Sequence, residues 1–77
     1  MSPMPEREVV NDVRQFLVQI ALELEESAAG AAAAAGALPD RAAAWPQVQR
    51  MYTRLQQANY LVERVQKTVS QAITGRG

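Results

Sequence analysis

The apolar residues in the second half of the chain are Val48, Met51, Leu55, Ala58, Val62, Val65, Val69 and Ala72. Their intervals alternate between three and four residues, the repeat that lays one side of a helix against another helix. The first half carries a matching stripe of Val10, Val13, Leu17, Ile20 and Leu24, which Val9 and Phe16 widen toward one side. Apolar and polar residues never alternate over a useful length, so no strand is expected. Two such stripes joined by a stretch of small residues predict an all-α, antiparallel two-helix hairpin. It is coiled-coil-like and forms one domain over residues 1–77.

Local signals set the expected boundaries: a helix over about 6–35, a turn over about 36–45 and a helix over about 46–74. Pro5 suits a first helical position, and Glu6 and Glu8 favour a helix start. Residues 1–5 and the end of the chain read as tails. Between residues 28 and 37 alanines favour helix, while Gly30 and Gly36 each cost about 1 kcal/mol against alanine. The stretch is therefore either helix ending in a left-handed cap at Gly36 or a loop beginning near Gly30. Asp40 can cap a short helical turn through Ala44. Pro46 lacks a donor and disfavours helical geometry at Trp45, so a bend is expected there, with the long helix starting at Pro46.

Composition limits how stable such a hairpin is. The chain has 77 residues, and much of its 48% apolar content is alanine, which adds little buried area. Below roughly 70–80 residues a single core rarely supplies more than about 3–5 kcal/mol. No cysteine is present to staple it. Association, either with copies of itself or with another protein, is the expected source of the missing stability. The net charge is zero but segregated: the first half is acidic and the second basic. Such a balance selects a partner more than it stabilises a fold.

Candidate chemistry is sparse. The chain has no histidine, and acid–base catalysis on a hairpin of this size has no pocket to work in. Glu23, Glu25 and Glu26 cluster in sequence but follow the helix rotation outward, as a solvated face does. No metal-ligand or phosphate-binding spacing occurs, and no cofactor is implied. Arg50, Arg54, Arg64 and Lys67 lie along one helix and could follow phosphates. The acidic helix beside them favours a salt-bridging face instead, so nucleic acid is not an expected partner. No run approaches the roughly 20 apolar residues of a membrane span. No Sec-type signal is visible, and the expected location is the cytoplasm.

What remains is a surplus of apolar side chains. Trp45, Tyr52 and Ile73 lie on one flank of the second stripe, Tyr60 and Leu61 on the other, and Val18 and Leu22 on the outer face of the first helix. Trp45 reads equally as a plug over the end of the hairpin, and Tyr52 as seam-edge packing. Together the seven exceed what two helices can cover, and helix-in-groove contacts use residues at such spacing. They are the candidate protein-binding residues.

The segment Trp45, Pro46, Gln47, Val48, Gln49 and Arg50, followed by Leu55, Ala58 and Val62, resembles the small E-type co-chaperones of type III secretion systems. The resemblance covers about half the chain and rests on pattern. It implies a hairpin that pairs with a larger helical chaperone and holds a needle subunit unpolymerised in the cytoplasm. Needle subunits themselves end in an apolar tail, whereas this chain ends in Thr74, Gly75, Arg76 and Gly77. Secreted WXG-type hairpins place a glycine two residues after the tryptophan, where this chain has Gln47. The resulting expectation is a non-catalytic, co-chaperone-like accessory protein. The alternatives are a self-associating module, such as a four-helix dimer or docking domain, and a secreted hairpin subunit.

Overall fold

A computed structural model describes the backbone of residues 6–74 and the side chains of residues 7–71. It contains two long helices packed against each other, α1 (Glu6–Ala37) and α2 (Arg41–Thr74), with no strand among the described residues. The all-α hairpin is therefore the fold. The expected tails at residues 1–5 and 75–77 lie outside the described residues.

The turn is tighter than the sequence suggests. α1 runs through both glycines to Ala37, and Gly36 keeps a negative φ instead of closing the helix with a left-handed cap. Three residues, Leu38, Pro39 and Asp40, reverse the chain through a cis Leu38–Pro39 peptide. The Asp40 amide donates to the Ala37 carbonyl at 3.0 Å. The Asp40 carboxylate then accepts from the Ala43 amide at 3.1 Å, and its carbonyl accepts from Ala44 at 3.0 Å. This is the expected N-cap, but the helix it starts does not stop at Ala44.

Pro46 lies inside α2, and the helix neither ends nor restarts there. The hydrogen bond Pro46 cannot make belongs to the carbonyl of Ala42, an exposed residue in the first turn that water can reach. The cost is small at that position. The Asp40 cap and the burial of Ala44 hold the first turn in place.

The seam comprises Val9, Val13, Phe16, Ile20, Glu23, Ser27, Gly30, Ala34 and Ala37 on α1. On α2 it comprises Ala44, Gln47, Met51, Arg54, Ala58, Leu61, Val65 and Thr68. Both sets step by three and four throughout, the knobs-into-holes repeat. Val13, Ile20, Met51, Ala58 and Val65 belong to the expected stripes. Val10, Leu17, Leu24, Leu55, Val62 and Val69 do not pack into the seam and are exposed. The apolar stripe is three positions wide on each helix, and one helix–helix contact covers only two of the three.

Among the described residues the buried apolar core is accordingly thin: Ile20, Ala34, Ala44 and Ala58, with no large side chain fully enclosed. Polar and close-backbone contacts set the register. Ser27 donates its hydroxyl to the Met51 carbonyl at 3.2 Å. A Cβ on Gly30 would meet the Gln47 carbonyl oxygen at 3.0 Å and the Met51 amide nitrogen at 3.2 Å. The helices approach closely here because Gly30 has no side chain.

Candidate docking surface

The hairpin has two unlike sides. In an antiparallel helix pair, the residues that follow each seam position lie on one side of both helices, and those that precede it lie on the other. The Glu26–Arg50 ion pair marks the second of these sides, because each residue immediately precedes a seam residue.

The preceding side is polar. Its α1 row includes Asp12, Gln15, Gln19 and Glu26, and its α2 row includes Arg50, Gln57, Arg64 and Lys67. Arg50 reaches Glu26 at 2.6 Å, and this hydrogen bond holds the Glu26 carboxyl below the usual glutamate range. Arg64 lies 5.4 Å from the Phe16 ring centroid and 5.9 Å from that of Tyr60, and donates to the Tyr60 hydroxyl at 3.0 Å. The guanidinium caps the exposed face of Phe16, a cation–π contact worth about 0.5–1 kcal/mol at such a site. Glu23, inside the seam, accepts from Arg54 at 2.9 Å and from Gln19 at 3.1 Å. The Arg54 bond, followed by the Gln19 bond, lowers the Glu23 pKa, and Glu23 in turn raises that of Arg54. Of the four cations Arg50, Arg54, Arg64 and Lys67, the first three thus engage partners within the hairpin, as a salt-bridging face does.

The following side is apolar. On α1 it carries Val10, Leu17 and Leu24, then Ala28, Ala31 and Ala35 toward the turn. On α2 it carries Trp45, Val48, Tyr52, Leu55, Val62 and Val69, with Asn59 and Gln66 between them. Leu17 is 51% exposed, and Trp45 and Tyr52 are each 59% exposed. No carboxylate lies on this side among the described residues; its charges are Arg7, Arg14 and Arg41.

The seven candidate residues separate on this frame. Trp45 and Tyr52 sit on the apolar side, and Ile73 continues their row, though its side chain lies outside the described residues. Tyr60 is on the polar side beneath Arg64. Leu61 is half-buried in the seam, so it serves the hairpin itself; the stripe it belongs to includes the position just before Val62. Val18 and Leu22 are exposed on the outer and polar sides of α1, away from Trp45 and Tyr52. The sequence pattern places Val10, Leu17, Leu24, Leu55, Val62 and Val69 in the seam, and the structure exposes all six. The polar partners Glu23 and Arg54, spaced to meet across a hairpin, were the available signal.

No helix is long and apolar enough to cross a membrane, and no group of three or more potential metal ligands occurs among the described residues. Comparison with family models, curated proteins and solved structures found no match.

Proposed function

We propose that the chain is a small, non-catalytic helical accessory protein that works by docking helices of another chain onto its apolar side. One observation carries this reading: a row from α1 and a row from α2, both apolar and both exposed, share one side of a hairpin whose own core is thin. Monomeric proteins rarely leave such contiguous apolar surface uncovered. Two parallel rows with a shallow groove between them suit an amphipathic helix laid along the hairpin.

A co-chaperone-like role fits this geometry. Shielding the apolar face of an assembly-competent helix requires a long, largely apolar face, and the likeness of residues 45–50, with Leu55, Ala58 and Val62, to the E-type co-chaperones points the same way. In that role the chain works in the cytoplasm beside a larger helical chaperone or a secretion subunit.

The test is co-purification from the native host with three forms of the chain. Wild type and the outer-face variant Val18→Ser are expected to retain the same protein partner, while Leu17→Ser combined with Leu55→Ser loses it and keeps its helical circular dichroism. An identical set of proteins retained by all three forms would overturn the reading.

A further inference from the structure

We infer that the apolar side is covered by a second copy of this chain, turn beside turn, giving a four-helix bundle. The inference rests on the docking reading above and names the occupant of that side when no other partner is bound.

The width of the stripe is the first argument. A helix that packs against a single neighbour needs two apolar positions per heptad, whereas a helix in a bundle core needs a third, beside them. Both α1 and α2 have that third row, on the same side of the hairpin. Each helix is thus patterned for one neighbour beyond its hairpin mate.

Area gives the second. The helices are about 50 Å long at 1.5 Å per residue, and the hairpin is 17 Å wide. One face therefore offers roughly 850 Å², close to the ~800 Å² that each partner contributes to a stable interface.

Shape then chooses the alignment. A two-fold axis in the plane of contact permits two pairings. With the turns at opposite ends, α1 lies on α1 and α2 on α2. With turn beside turn, each α1 lies on the other copy's α2. The contact side carries Arg7, Arg14 and Arg41 and no carboxylate among the described residues, so charge does not choose between them; shape favours the second pairing. The same pairing sets the flat α1 segment of Ala28, Ala31 and Ala35 opposite Trp45 and Tyr52 of the second copy, large residues against small.

Sedimentation equilibrium between 1 and 100 μM is expected to give twice the monomer mass, and Leu17→Ser with Leu55→Ser to revert it to monomer, while Val18→Ser with Leu22→Ser stays dimeric. Gly36 has open space around it and lies near the turn, so a spin label on Gly36→Cys, in a chain with no other cysteine, reports the alignment. Turn beside turn predicts a label–label distance well under the ~50 Å length of a helix. A distance near or above that length overturns the alignment. A monomer at 100 μM overturns the dimer. If that monomer melts with low cooperativity and binds an apolar dye unless Leu17 and Leu55 are replaced, the docking reading survives with another occupant. If it melts sharply and binds no dye, both fall.

Discussion

Glu23 of α1 and Arg54 of α2 meet inside the seam at 2.9 Å, with the glutamate 7% exposed and the arginine reaching toward solvent. Removing one member of a buried pair costs more than the pair contributes, because the remaining charge is left desolvated. Arg54→Ala is therefore expected to lower the melting temperature more than Arg50→Ala, whose partner Glu26 is half exposed and can be hydrated again. Thermal denaturation of the two variants side by side checks this, and equal losses would mean that Glu23 is not held in the seam.

The same pair gives the hairpin an acid-sensitive side. Glu23 and Glu26 both have folded pKa values below the ordinary glutamate range, because Arg54 and Arg50 donate to them. A depressed folded pKa means that the unfolded chain takes up protons first as pH falls. Their contribution is complete above the ordinary glutamate pKa and is lost progressively below it, down through the folded values. Melting temperature against pH is expected to drop across that acid window, with a shallower slope in Glu23→Gln. A slope unchanged by that substitution would contradict the assignment.

The two helical glycines should respond in opposite directions to alanine. Gly36 has nothing within 4 Å of its missing Cβ, so Gly36→Ala should stabilise by about 1 kcal/mol through helix propensity. Gly30 faces backbone at 3.0 and 3.2 Å, and backbone does not swing aside as a side chain does. The propensity gain is offset by overpacking of about 1–3 kcal/mol, so Gly30→Ala should destabilise. Urea unfolding of both variants decides the point.

Asp40 starts α2 alone, with Pro46 ahead in the same helix. Asp40→Ala is expected to cost about 1 kcal/mol, and Asp40→Asn little, because asparagine caps as well as aspartate. A neutral Asp40→Ala in the same unfolding assay would imply that the bond to the Ala43 amide contributes nothing.

The hairpin, its antiparallel sense and the Asp40 cap were all legible in the sequence, because three-and-four spacing and capping chemistry are local. The phase of the seam was not. On each helix taken alone, Leu17 and Leu24 look more like core than Glu23 does, and Leu55 and Val62 more than Arg54. The polar residues earn their place only through each other, in a contact 31 residues apart. The run Ser27, Gly30, Ala34 and Ala37 continues that phase without interruption through the alanine-rich stretch, but small residues weigh little on a hydropathy scale. What they provide is close approach between helices, which becomes visible only when both are present. The turn was misplaced for a related reason: Pro46 breaks helices in their interiors, and here it falls near a capped start.

The central claim is that the side bearing Leu17 and Leu55 is covered in the working protein. The most direct measurement is the melting temperature of the purified chain, followed by circular dichroism over a hundredfold range of concentration. The account predicts that it rises with concentration, and that the dependence disappears in Leu17→Ser with Leu55→Ser. A sharp melting transition at one temperature throughout the range, in wild type and variant alike, would contradict it.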